Sequence, residues 1–423
     1  MNFKKLTITL QDESKFRLLL YTIILIAGSI LWFFRILIYL NLFEDPHDPT
    51  GGGYWFCDYR CYYEASILYL KGQDFYNQTC FYYMPISIFF FLPLAYLPYK
   101  ISAWVFFLFN LVILFVTLEV IFSILANYSK IVRENEKILL IFSIFLFYPV
   151  SVGFIAGQIT ILILFVVVLV YYVNFIKKRT IITSFLIFLG TIFKIWPFIL
   201  SIMNFFVDKS KKLFFYSTLL VVIGMFASLS VFGFSTCSNF LIKLLNFQKI
   251  RIYEPIAILE VKDPLEPNCS FFNSLSKIFS VIQVKYDDNV FLLIKLFIAL
   301  IILNFLIILK NKPLNIKEKQ IHIFNLIITS FLFLSNVFWT HYFCFLILSY
   351  LFYIYVLKTS FMERMILLTV TFLISFQEYI VFTAKMAGGY LASLVYIFPP
   401  TSLALICFFG LVINSTVKAI GGK

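Results

Sequence analysis

Apolar runs recur along the chain from residue 18 to residue 413, and no long polar stretch divides them into independent blocks. A run of roughly 20 residues crosses a hydrocarbon core of about 30 Å as a helix. The runs fall at 18–42, 84–98, 101–126, 138–156, 158–176, 181–207, 212–233, 290–309, 321–338, 341–357, 365–383 and 390–412, which predicts about twelve spans. Residues 84–98 give only about 22 Å of helix, a length tolerated where protein or a water-filled cavity covers the ends. Two polar insertions break the rhythm, at 43–83 and 234–289. The sequence shows no heptads, internal repeats or low-complexity segment. The expectation is one all-α integral membrane domain over residues 1–423, with two long loops that carry short interfacial helices.

Composition sharpens this class. Hydrophobic residues make up 62% of the chain, charged residues 13%, and the mean hydropathy is +0.95, against about 25% charged residues in a soluble domain. The net charge of +13 would suggest nucleic acid on a soluble domain. Here Lys and Arg collect in short turns, as in cytoplasmic loops, and nucleic-acid binding is not expected. The 55 Phe and 26 Tyr fit the codon bias of an AT-rich genome better than an aromatic binding surface. The first apolar run is too long for a cleavable signal, so an uncleaved first helix is expected.

Charge also sets the orientation. Lys4, Lys5, Lys15 and Arg17, then Lys209, Lys211 and Lys212, then Lys310, Lys312, Lys317 and Lys319 belong on the cytoplasmic side. Both insertions then fall outside, and the first is acidic. Two connections conflict with the span count. Residues 127–137 and the turn Lys177-Lys178-Arg179 are basic yet fall outside, a conflict that short or re-entrant helices between 101 and 207 would remove.

Five of the seven cysteines lie in the outer insertions: Cys57, Cys61, Cys80, Cys237 and Cys269. Candidate disulfides are Cys237 with Cys269, and Cys80 with either Cys57 or Cys61, and the odd number leaves one thiol over. Cys344 and Cys407 sit in apolar spans, where packing is the default. The spacing of Cys57 and Cys61 lacks a nearby histidine other than His47, so no metal site is expected.

The segment Cys57-Asp58-Tyr59-Arg60-Cys61-Tyr62-Tyr63-Glu64 opens a short interfacial helix that Gly72 can end. A carboxylate at Asp58, where outer loop meets membrane, can serve as a general base or simply cap the helix. Tyr82-Tyr83-Met84-Pro85 begins the next run, with proline suited to a first turn. Gln158, after Gly157 between two apolar runs, can pack helices or bind a sugar hydroxyl. Lys194 lies inside an apolar run just before Pro197, about half a span from either end, and such a cation either snorkels to an interface or calls for a cavity or an anionic partner such as phosphate. Asn268 and Ser270 can bond sugar or cap a helix. His341, one of three histidines, can pack in the interior or donate to a phosphate or sugar oxygen.

In this order the segments resemble glycosyltransferase family 87. The resemblance runs through Asp58 to Tyr63, Leu70-Lys71-Gly72, Tyr83-Met84-Pro85, Pro93-Leu94-Ala95, Gly157-Gln158, Lys194 to Pro197, Asn268-Cys269-Ser270 and Ser335 to Tyr342, covering roughly residues 55–345. The family often has two prolines where this chain has Met84-Pro85, Asn-Gln-Ser where it has Asn268-Cys269-Ser270, and a second histidine near Thr340 or Tyr342. The resemblance implies a GT-C bundle that transfers a hexose, most often mannose, with inversion. The donor would be a polyprenyl- or dolichyl-phosphate sugar and the acceptor a lipid-linked or glycolipid hydroxyl. It casts Asp58 as the catalytic base and Lys194, His341 and Arg60 as donor-phosphate ligands. Tyr62, Tyr82, Tyr83, Gln158, Asn268 and Ser270 would shape the sugar and acceptor site, with no metal required. The implied location is the plasma membrane with the site outside, or the endoplasmic reticulum with the site in the lumen. The competing classes are a transporter or lipid flippase, which would favour inverted repeats, and a non-catalytic scaffold.

Overall fold

The computed structural model describes residues 12–42, 56–128, 130, 132–250, 270–281, 288–335, 340–387, 395 and 399–421, and every element among them is helical. The principal helices are α1 (Glu13–Leu42), α2 (Cys57–Leu70), α3 (Tyr99–Asn127), α4 (Glu134–Leu146), α5 (Tyr148–Ile155), α6 (Thr160–Tyr171), α7 (Thr180–Phe193), α8 (Lys212–Ile250), α9 (Phe271–Val281), α10 (Asp288–Asn311), α11 (Ile316–Leu334), α12 (Phe361–Ser375) and α13 (Pro400–Gly421). Among the described residues, five helices are long and apolar enough to cross a membrane. They are Glu13–Phe33, Tyr99–Asn127, Lys212–Leu245, Asn289–Asn311 and Pro400–Gly421. The pair α4 and α5, bent by 55°, makes a sixth if taken as one broken span. The chain is a multi-pass membrane protein. Helix α6 is apolar on all sides and buried nearly throughout, which makes it the central element.

Two expected spans are corrected. Residues 84–98 hold a 3₁₀ turn (Pro85–Ser87) and a helix of 8 residues (Ile88–Ala95) interrupted by Pro93. Their start is tied to α7 by the Met84 N–H on the Ile192 carbonyl (3.0 Å). Their end is tied back by the Ser102 hydroxyl on the Leu94 carbonyl (2.8 Å) and the Tyr63 hydroxyl on the Leu97 carbonyl (2.9 Å). The segment thus enters and leaves at one end of the bundle. Residues 181–207 are not one helix either. α7 stops at Lys194, whose backbone is extended (φ −140°, ψ 125°), and a 3₁₀ helix (Trp196–Ile202) folds back from it. Gly190 permits the fold-back, because a Cβ there would stand 3.0 Å from Pro197 Cβ. Lys194 therefore sits at a helix end and not in the middle of a span.

These corrections remove the charge conflict. Arg17 Nε meets Glu136 at 2.6 Å, Lys317 Nζ donates to the Asn127 carbonyl at 2.6 Å, the Tyr128 and Tyr171 hydroxyls pair, and Arg364 reaches Glu13 at 3.3 Å. Residues 127–137 and the turn after α6 therefore share one end of the bundle with the N-terminal segment and the 310–319 loop. At the other end of α3, about 42 Å away along the axis, the Tyr99 hydroxyl donates to the Phe56 carbonyl (3.2 Å).

Candidate active site

Helix α2 starts against a neighbouring turn and not on its own cap. Phe56 is the cap residue in a left-handed conformation (φ 62°) with no side-chain cap bond. The N–H groups of Phe56, Asp58 and Tyr59 go to the carbonyls of Ile155 (2.8 Å) and Ala156 (3.0 and 3.3 Å). Asp58 lies in the first turn, so its carboxylate is not used as the N-cap. The helix ends as expected at Gly72 (φ 68°), with the Gln73 N–H on the Leu68 carbonyl at 2.9 Å.

The turn that caps α2 is itself fixed by a glycine. Gly157 takes φ 66° after α5, and a Cβ there would lie 2.7 Å from Tyr59 Cβ. The next residue, Gln158, is buried and donates through Nε2 to Asp58 Oδ2. The Tyr62 hydroxyl donates to Gln158 Oε1 (3.3 Å) and shares a hydrogen bond with the Tyr83 hydroxyl (2.7 Å). Burial first, then the nearby Tyr83 and Asp58, holds the Tyr62 hydroxyl well above the ordinary tyrosine range. Burial does the same for Tyr83, against the Tyr62 bond and with Asp58 and Tyr342 adding to it. Both phenols therefore stay neutral and able to donate.

Tyr83 also connects to the cationic side. The chain after it bonds to Ile192, two residues before Lys194. Lys194 Nζ lies 3.9 Å from the Tyr342 ring centroid and 6.0 Å from that of Phe345. His341 is 1% exposed in the 3₁₀ helix Thr340–Leu346, its ring 4.7 Å from that of Tyr342. Asp58, Gln158, Tyr62, Tyr83, Lys194 and His341 thus gather at one end of the bundle, around a tyrosine pair and Tyr342.

Other candidates sit further out. Arg60 pairs with Glu64 at 2.6 Å on a half-exposed face of α2. The Tyr82 ring lies under Lys243 Nζ at 4.9 Å. Ser270 accepts the Asn273 N–H (3.1 Å) and starts α9. Its helix approaches the His341 region through Ser274, whose hydroxyl meets that of Ser402 (3.4 Å), the neighbour of Thr401, whose hydroxyl meets that of Thr340 (3.4 Å). Asn268 and Cys269 lie outside the described residues.

Two features were not foreseen. Lys243 of α8 donates to the carbonyls of Tyr76 and Thr79, and Asn239 donates to Asp74 (2.7 Å), so α8 clamps the loop that leads into Tyr83. Lys243 is one of several cations in the second polar insertion, and nothing in the sequence marks it out. The second is Tyr342 as the aromatic partner of Lys194. Of the disulfide alternatives, Cys61 pairs with Cys80, tying α2 to the same loop and leaving no thiolate pair at Cys57 and Cys61 for a metal.

A family model for glycosyltransferase family 87 matches residues 81–312, more than half of the 423 residues. The matched range includes Tyr83, Gln158 and Lys194, while Asp58 and His341 lie outside it. No curated protein and no solved structure matches the chain.

Proposed function

Because the chain belongs to glycosyltransferase family 87 and is a membrane glycosyltransferase, we propose that it moves a hexose, with mannose the first candidate, from a polyprenyl- or dolichyl-phosphate sugar to a lipid-linked or glycolipid hydroxyl, inverting the anomeric centre. Asp58 takes the acceptor proton as the acceptor oxygen attacks the anomeric carbon. The bond from that carbon to the phosphate oxygen breaks, and the lipid phosphate leaves with the electron pair. Lys194 and His341 hold the charge that develops on the phosphate, with Arg60 assisting from the half-exposed face of α2. Gln158 orients Asp58, Tyr62 and Tyr83 line the sugar, and Tyr82, Asn268 and Ser270 shape the outer part of the site. A monophosphate leaving group requires no diphosphate clamp, so the proposal includes no metal.

The observation that carries this reading is the joining of a carboxylate and an ammonium through one cluster. Gln158 and the tyrosine pair run from Asp58, and Tyr342 carries Lys194. In the GT-C arrangement we propose, the re-entrant 84–98 segment no longer crosses and residues 181–207 cross twice, so the count stays at about twelve. The basic end is then cytoplasmic, and the site opens to the cell exterior or to the lumen of the endoplasmic reticulum.

The test is donor consumption by purified protein in lipid, with polyprenyl-phosphate mannose or glucose and a total lipid extract as acceptor. Wild type should transfer. Asp58→Asn and Lys194→Met should each lose at least about 10²-fold, the scale of removing a general base or a transition-state charge donor. Equal transfer by wild type and Asp58→Asn would remove Asp58 from the chemistry, and no transfer from any donor would favour the transporter class.

A further inference from the structure

At the end of the bundle opposite Asp58, a cavity of about 490 Å³ opens between α1 and α4, lined by Ser14, Arg17, Leu18, Tyr21, Arg133, Glu136 and Leu139. Its size falls within the range of about 300–1,000 Å³ typical of small-molecule sites. Its acidic groups are already matched. Glu136 accepts from Arg17 Nε at 2.6 Å and from the Tyr355 hydroxyl at 3.0 Å. Asp12, beside Ser14, accepts the Ser14 hydroxyl at 2.7 Å and pairs with Lys15 at 3.4 Å. Arg133, the residue before α4, is exposed at the rim, and no carboxylate pairs with it among the described residues. The cavity therefore carries one uncompensated positive charge. Arg17 beside it is held in place by Glu136 and by the Tyr355 ring, 5.1 Å from its Cζ. Leu18, Tyr21 and Leu139 supply the apolar part of the lining, and Leu18 and Ile138 are exposed beside it.

Two arginines beside apolar side chains, at the rim of a membrane bundle, suit an amphipathic phosphate. Guanidinium groups engage phosphate oxygens through paired, charge-assisted hydrogen bonds, and a basic pocket between helices at the basic face of a membrane protein lies where anionic headgroups concentrate. We propose that this cavity binds the phosphate headgroup of an acidic phospholipid from the leaflet at the basic end. The site is separate from the transfer site, and its occupancy does not depend on the reaction proposed there.

The experiment uses the purified full-length protein in a neutral detergent. Its unfolding midpoint is followed while dioleoyl phosphatidic acid, dioleoyl phosphatidylcholine or inorganic phosphate is titrated in. Phosphatidic acid should raise the midpoint saturably, while phosphatidylcholine and millimolar phosphate should not. Arg133→Gln breaks no pairing and should weaken the apparent Kd for phosphatidic acid about tenfold, the scale of one charge-assisted contact. Lys211→Gln, an exposed charge at the same end, should leave that Kd unchanged. Arg17→Gln is the less clean variant, since it releases Glu136. Saturable protection by inorganic phosphate alone, lost in Arg133→Gln, would support the phosphate site and overturn the lipid as its source. Equal protection by the two lipids, an unchanged Kd in Arg133→Gln, or an equal loss in Lys211→Gln would overturn the proposal.

Discussion

Gly157→Ala should damage the site far more than a one-methyl change suggests. The added Cβ meets two costs. At φ 66° an alanine pays the left-handed penalty of about 1–2 kcal/mol. It would also stand 2.7 Å from Tyr59 Cβ, 3.2 Å from Phe56 Cδ1 and 3.4 Å from Phe56 Cα. These atoms belong to the start of α2 and cannot swing aside, so overpacking adds about 1–3 kcal/mol. The sum is about 2–5 kcal/mol. Gly72→Ala supplies the control, because Gly72 has nearly the same φ (68°) and a Cβ there meets nothing within 4 Å. It should cost only the backbone part, about 1–2 kcal/mol. The assay is the unfolding midpoint of both variants in detergent, read beside sugar transfer. Relief of the clash would push Asp58 away from Gln158, and a displacement near 1 Å costs about 10²-fold in rate. Midpoints lowered equally in the two variants would refute the reasoning, since the close approach of the 155–158 turn to α2 would then carry no weight.

Two further outcomes follow from contacts away from the carboxylate. Cys61→Ser with Cys80→Ser opens a loop closed across 19 positions and should cost about 3 kcal/mol by loop entropy, seen as a midpoint that reductant no longer lowers, whereas wild type loses the same amount on reduction. Glu363 is nearly buried outside the apolar part of α12. Burial raises its pKa, but donors from Lys418 (2.9 Å) and the Ser360 N–H (2.7 Å) outweigh that and leave it below the ordinary glutamate value. A depressed pKa gives stability that is present above the unfolded value and lost as pH falls through the folded one. The wild-type midpoint should therefore drop on acidification below the ordinary glutamate range, while Glu363→Gln starts roughly 1–2 kcal/mol lower and loses that part of the dependence.

Much of this architecture is readable from hydropathy, because each long apolar run has one stable solution in a membrane, a helix with its backbone bonds satisfied internally. The failures fall where composition stays apolar but the backbone does not stay helical. Ile195, Trp196, Pro197 and Phe198 continue the apolar run across Lys194, so a window average joins two antiparallel segments into one span. The site was legible in part for the same reason. Asp58, Lys194 and His341 stand out as charged or titratable groups in apolar surroundings. The bond from Gln158 to Asp58 spans 100 positions, and the placement of Tyr342 over Lys194 depends on the packing of the 3₁₀ helix 340–346, so no local pattern encodes either. The disulfide shows the middle case. Cys57 and Cys61 are equivalent in spacing, and only the phase of α2, which buries Cys61 to 7% exposure and leaves Cys57 exposed, decides between them.

Several helix breaks lie beside the proposed site. Met84 and Ser335 are extended at ψ 144° and 140°, Gly157 is left-handed, and Lys194 is extended. Each break frees backbone groups that lipid cannot satisfy, so each has to be covered by protein or line a polar space. Two of the four show the covering directly: Met84 bonds Ile192, and the Ala156 carbonyl before Gly157 takes two N–H groups of α2. Breaks scattered through the bundle would each need a separate polar patch. Those at Met84, Gly157 and Lys194 lie beside one cluster of polar side chains, Asp58, Gln158, Tyr62 and Tyr83. The lipid-carried sugar phosphate proposed as donor needs an apolar approach from the bilayer that ends among polar groups of this kind. Substitutions that straighten these three breaks should remove activity while leaving Asp58 and Lys194 themselves in place.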